Sequence, residues 1–112
     1  WFMVVDKGDN PLNFVDPSGT AMFVYSIQRG VELGLLKAKE YTPVAYRGYQ
    51  SLFPFIQVND RGLLDVIGAC DGVVIKKNFI EYVTVPKILN AKEAVAGILW
   101  AAVIMETEQL KK

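Results

Sequence analysis

The sequence predicts an all-α fold with a short β-like excursion at about residues 63–85, and three observations predict it. An apolar helix begins at a capping signal around Asp16 and Pro17, a second helix rich in Gly and Ala occupies residues 90–106, and the stretch between them is dense in β-branched residues and glycines. Hydrophobic residues make up 52% of the 112-residue chain and charged residues 21%, the balance of a chain that folds rather than one that stays disordered.

Residues 1–5 are a brief apolar run, read as a strand or extended arm, and residues 6–13 (DKGDNPLN) are turn formers. The segment 16–36, DPSGTAMFVYSIQRGVELGLL, is the most informative stretch. Asp16 or Ser18 can accept hydrogen bonds from the unpaired amides of a first turn, and Pro17 has no amide to leave orphaned there. Ala21, Met22, Tyr25, Ile27, Val31 and Leu35 recur at roughly helical spacing and are expected on the buried face, with Gln28, Arg29 and Glu32 on the polar side. Gly34 falls near the end, and Lys37 and Lys39 suit a helix C-terminus.

A second helix is expected from Thr42 as cap with Pro43 in the first turn. Ala45, Tyr49, Leu52 and Phe53 share a face of it, and Pro54 ends it. The two make a helical hairpin. Asn59, Asp60, Arg61 and Gly62 form a turn, residues 63–67 read as extended, Gly68 and Gly72 frame a bend, and the alternation of residues 79–85 (FIEYVTV) reads as a strand stopped by Pro86. Asn90 can cap the last helix with Glu93 reaching back in a capping box. Its small residues Ala94, Gly97, Ala101 and Ala102 let another helix approach closely.

Residues 16–36, with 1–6 before and 41–52 after, and the closing NAKEAVAGILWAAVIME of 90–106, resemble the unsaturated glucuronyl and rhamnogalacturonyl hydrolases, glycoside hydrolase families 88 and 105, especially the latter. The matching stretches span most of the chain in the family's order. The resemblance implies a barrel (toroid) of six helical hairpins, an (α/α)6 fold. Twelve helices of roughly 12 residues with loops of about 2 to 8 require on the order of 200 residues or more. Residues 1–112 are therefore expected to be a partial barrel domain, its C-terminal hairpins, and the initial Trp1 in place of Met agrees with an excised segment.

The chemistry the resemblance implies is hydration of the C4=C5 double bond of an unsaturated uronate, removing that sugar from pectin- or glycosaminoglycan-derived oligosaccharides in a bacterium. One Asp serves as general acid and base there. That Asp, and the aromatic and Arg pair that embraces the uronate, belong to motifs upstream, and no residue of this chain matches them. The expected partners are the oligosaccharide substrate and the rest of the barrel. No cofactor is implied, and the segment alone is expected to be inactive.

Twelve basic and twelve acidic side chains cancel without a Lys or Arg stripe, so nothing marks a nucleic-acid surface. No apolar run approaches the roughly 18 residues that cross a bilayer. The chain has no His, so a His-dependent nucleophile or metal site cannot be assembled from it alone. Cys70, the one cysteine, reads as a small buried apolar residue. Candidate substrate contacts are Trp1, by stacking on a sugar; Asp6 in the next loop; and Ser18, Asn90 and Lys92 at two helix starts, where unpaired amides suit an anion. For each, capping, packing, turn formation or solvation is the competing reading. Lys76 and Lys77, in the loop 68–77, are further candidates for substrate preference. Where the resemblance places Asp in many members, this chain has Ala91. Two other functions stay open: a barrel relative that binds or isomerises sugars, and a small helical interaction module acting alone.

Overall fold

Residues 1–111 are described by the computed structural model. The chain opens as an extended arm. Phe2 pairs with Val15, the Met3 amide donates to the Phe14 carbonyl at 2.8 Å, and the Asp16 amide donates to the Trp1 carbonyl at 3.0 Å. Asn13 ties the intervening turns together, its side-chain amide donating to the carbonyls of Val4 at 2.8 Å and Lys7 at 3.0 Å.

Helix α1 (Pro17–Glu32) starts where the capping signal puts it. Its buried stripe is Pro17, Thr20, Ala21, Val24 and Gln28, which corrects the expected face. Met22 and Leu35 are exposed at 47% and 76%, whereas Gln28, assigned to the polar side, is fully buried. Spacing decides the face, and the 20, 24, 28 row keeps its position whatever the polarity of residue 28. Gly34, at φ 74°, reverses the chain.

Helix α2 (Ala38–Gln50) starts four residues before the expected cap at Thr42, with Lys37 in the capping position and Pro43 inside the helix. Only one interior bond is lost to the missing Pro43 amide, so tertiary packing carries the extra turn. Ala45, Tyr49 and Leu52 are buried as expected, while Phe53 lies half-exposed at the edge, its ring edge-on to Tyr49 with centroids 5.1 Å apart.

A single 3-10 turn at Phe53–Phe55 leads into β1 (Ile56–Val58), which pairs antiparallel with β2 (Leu64–Val66), Gln57 opposite Asp65. The excursion thus begins before residue 63, because the hairpin needs a first strand that its three residues do not announce. Asn59 closes the hairpin, its side-chain oxygen accepting from the amides of Arg61 and Leu63, both at 3.0 Å. Strand β3 (Ala69–Cys70) pairs antiparallel with β4 (Lys87–Ile88). Residues 79–85 are not a strand: Phe79–Val83 forms the short helix α3. Asn78 accepts from the Glu81 amide at 3.0 Å, and the Thr84 hydroxyl donates back to the Ile80 carbonyl at 2.7 Å. Both local caps outweigh the alternating pattern.

Helix α4 (Lys92–Leu110) follows, but Asn90 does not cap it and no capping box forms; Ala91 occupies the capping position with no side-chain bond. Asn90 is left-handed at φ 54°, its side chain accepting from the Val66 amide at 2.7 Å and donating to Asp65 at 2.9 Å. It ties β2 to the start of α4.

The core lies where α1 meets α4. Ala21, Ala94 and Ala101 are fully buried, and a Cβ on Gly97 would lie 3.2 Å from that of Ala21, so the small residues do allow close approach. The two helices run parallel. The Ser18 carbonyl lies 3.5 Å from that same built Cβ on Gly97, and at the other end Lys111 pairs with Glu32 at 3.4 Å. Helix α2 returns antiparallel to α1 and is joined to α4 by the Tyr49 hydroxyl, which donates to Glu106 at 2.7 Å.

Candidate functional site

Because α1 and α4 are parallel, their N-terminal ends share one edge of the molecule, and a cavity of about 500 Å³ opens there. Asp16, Ser18 and Gly19 from the start of α1 and Glu93 from the first turn of α4 line it. Cys70, Gly72 and Val73 from the β3 region and Tyr82 from α3 close the far side, with Met3 and Met22 adding apolar surface.

Asp16 sets the electrostatics of this edge. One carboxylate oxygen accepts from the Ser18 amide at 3.1 Å and the Ser18 hydroxyl at 2.8 Å, the other from the Gly19 amide at 3.1 Å. The Thr20 amide is taken by the Asp16 carbonyl at 3.0 Å. The start of α1 therefore offers no free amide to an anionic sugar: a carboxylate already occupies the positive end of the dipole. Ser18 spends its proton on Asp16 and can only accept from a ligand.

Tyr82 accepts from the Lys76 amide at 3.0 Å. Cys70 is a free, buried thiol whose sulfur lies 3.6 Å from the Val85 carbonyl; burial first, then the Asp16 charge, push its pKa up, so it stays protonated and is no nucleophile. Glu93 lies against the bare Cα of Gly72, one oxygen 3.7 Å from where a Cβ would sit, and the other oxygen is buried with no hydrogen-bond partner. Among the described residues no cluster of His, Cys, Asp or Glu is arranged to hold a metal ion, and no helix is long and apolar enough to cross a membrane.

Of the candidate substrate contacts Trp1, Asp6, Ser18, Asn90 and Lys92, only Ser18 lines this cavity. Trp1 lines a smaller neighbouring one of about 240 Å³, its ring tilted on Phe23 with centroids 5.2 Å apart. Asp6 is exposed in its loop, Asn90 is engaged with β2, and Lys92 is exposed on the first turn of α4. The Lys77 amide donates to Glu81 at 3.1 Å, and neither Lys76 nor Lys77 lines the cavity. Glu93 and Tyr82 were not legible as cavity residues, since one read as a capping partner and the other as part of a strand.

A family model described as Glycosyl Hydrolase Family 88 matches residues 1–109. The fold is similar to a solved family 105 glycoside hydrolase of C. acetobutylicum ATCC 824, with a TM-score of 0.85 and 27% identity over 96% of this chain. The match covers 31% of that hydrolase, so the chain spans less than a third of its length. Since the family model takes in nearly every residue that builds the helices, the hairpins and the cavity between them, the chain belongs to glycosyl hydrolase family 88.

Proposed function

We propose that this chain is the C-terminal part of an (α/α)6-barrel hydrolase that removes unsaturated uronic acid from pectin- or glycosaminoglycan-derived oligosaccharides, and that its cavity is one wall of the substrate cleft. The observation that carries the reading is the directly packed, parallel α1/α4 pair, with the antiparallel α2 against α1 and reaching α4 through Tyr49, and the N-terminal ends of the pair opening on a common cavity. Repeated around an axis, that unit makes a ring with one layer of parallel helices inside. Family membership and the likeness to a family 105 hydrolase support the same reading.

The shape of the chain supports it too. A compact domain of this length has a radius of gyration of about 13 Å, whereas this one has 14.8 Å and extends 41 × 38 × 22 Å, a slab. Its accessible surface is 7356 Å², where about 6,200 Å² is ordinary for this mass. The surplus matches the area of a protein interface. Leu99, Trp100 and Val103, all more than half exposed along α4, are part of it.

In this reading water adds across the C4=C5 double bond of the uronate, and the resulting hemiketal rearranges and frees the next sugar. The Asp that supplies and removes the proton lies on preceding chain. Residues 1–112 contribute shape and hydrogen-bond acceptors. Incubating the longer enzyme with an unsaturated disaccharide tests this: ultraviolet absorbance of the double bond decays if the reading holds. Binding or epimerisation of the sugar with the absorbance intact would instead identify a sugar-binding or sugar-isomerising barrel.

A further inference from the structure

We propose that Asn90 is a positioning residue: it locks the chain where β4 passes into α4, and so fixes the spacing of two walls of the cavity, the β3 side and the first turn of α4. This rests on the reading of the cavity as part of a carbohydrate cleft, and names a residue that holds its shape without touching the sugar.

Among the described residues Asn90 is the one non-glycine residue with a positive φ, 54°. The left-handed region is unfavourable for a residue with a Cβ, and such a conformation persists only where its surroundings over-determine it. Three hydrogen bonds to β2 do so here. The Asn90 amide donates to the Val66 carbonyl at 2.8 Å, its side-chain oxygen accepts from the Val66 amide at 2.7 Å, and its side-chain nitrogen donates to Asp65 at 2.9 Å. Asn90 thus takes both backbone groups of Val66, as a neighbouring strand would. The same Asp65 oxygen accepts from Asn59 at 3.3 Å, and Asn59 closes the hairpin turn, so the β1–β2 hairpin is tied as a unit to the head of α4.

What is held in place defines the role. Just before Asn90, β4 is paired to β3, Lys87 opposite Cys70 and Ile88 opposite Ala69. Just after it comes the first turn of α4 with Glu93. Cys70 and Gly72 line one side of the cavity and Glu93 another, and the two sides meet where Glu93 lies against Gly72. Ala91, in the capping position, makes no side-chain bond, so the dihedral angles of Asn90 set the direction in which α4 leaves the sheet. Asn90 itself is outside the lining, and its effect on a bound sugar passes through that direction. A displacement of about 1 Å can cost an enzyme up to about a hundredfold.

The test uses the full-length enzyme as wild type, N90G, N90D and N90D/D65N, with an unsaturated uronyl disaccharide. N90G accepts the left-handed backbone freely but removes the side-chain bonds. N90D loses the donor and sets a carboxylate against Asp65. Both are expected to raise KM by about fivefold or more while kcat stays within about threefold of wild type. In N90D/D65N donor and acceptor exchange sides, the new carboxylate accepting from the Val66 amide and from the new amide side chain at position 65. Its KM should return to within about twofold of wild type. A loss of stability alone lowers the amount of active enzyme and leaves KM unmoved. Wild-type KM in N90G and N90D, whatever their melting temperatures, therefore overturns the proposal, as does a double variant that fails to recover. Amide exchange read by mass spectrometry on the same proteins tests it independently of turnover. In N90D, exchange should quicken at residues 69–73 and 92–95 together with 64–66, and slow again in N90D/D65N. Quickening confined to 64–66 removes the positioning role and leaves the hydrolase reading intact. Linked quickening, in an enzyme whose wild type does not hydrate the disaccharide, keeps Asn90 and removes the hydrolase.

Discussion

Gln28 is the residue most at odds with its surroundings. It is fully buried on the α1 stripe, and neither its amide nitrogen nor its oxygen has a hydrogen-bond partner. A buried unpaired amide costs about 1–3 kcal/mol, so Gln28→Met, similar in volume and flexible enough to fill the site, is expected to stabilise the protein by about that amount in denaturant titration. Tyr49 is the opposite case. Its hydroxyl is matched to Glu106 at 2.7 Å, and burial, followed by that hydrogen bond and charge, pushes its pKa up to about 12. A phenol whose folded value lies above the ordinary 10 contributes stability that is fully present below pH 10 and is lost as pH rises toward 12. Tyr49→Phe should cost about 1.5–3 kcal/mol at neutral pH, and the gap between wild type and variant should close over pH 10–12 in urea titrations at successive pH values.

Elements are held by their ends. The carboxylate of Asp16 caps α1 through two amides, and Asp16→Ala should destabilise the protein by about 1 kcal/mol while freeing amides at the cavity edge, seen as a lower melting temperature. Gly68 sits between the two small sheets at φ 80°, where a Cβ would come within 2.7 Å of the Phe55 ring. Left-handed strain of about 1–2 kcal/mol and that overlap act together. Gly68→Ala is therefore expected to cost about 2 kcal/mol or more, and its amide exchange should quicken across β1, β2 and β3. The start and buried face of α4 show why element ends are harder to foresee than element existence. Its small residues announced a close-packed helix, but Asn90 left its expected capping role because Val66 and Asp65, distant in sequence, offered it better partners.

At the scale of the whole molecule the chain is a slab with apolar surface on display. Leu99, Trp100 and Val103 on α4 form an exposed row, with Tyr25 edge-on to Trp100 at 4.8 Å. Exposed patches of this kind associate in water. The isolated chain is expected to self-associate at micromolar concentration in sedimentation velocity, and to show no turnover of an unsaturated disaccharide. A stable monomer with cooperative unfolding would argue for an independent helical module, and turnover by the isolated chain would refute the placement of the proton donor on preceding chain.

What the sequence determined by itself was the three long helices, the cap at Asp16, the turn at residues 59–62 and the kinship with glycosyl hydrolases, since spacing, capping chemistry and motif order act within a few residues and need no distant partner. The tertiary structure alone decided the rest. It put Gln28 inside, drew Asn90 onto β2 and brought Glu93 and Tyr82 to the cavity beside Asp16. Each of those outcomes depends on which surfaces meet, and burial and hydrogen-bond pairing between segments far apart in the chain are settled only when the segments pack.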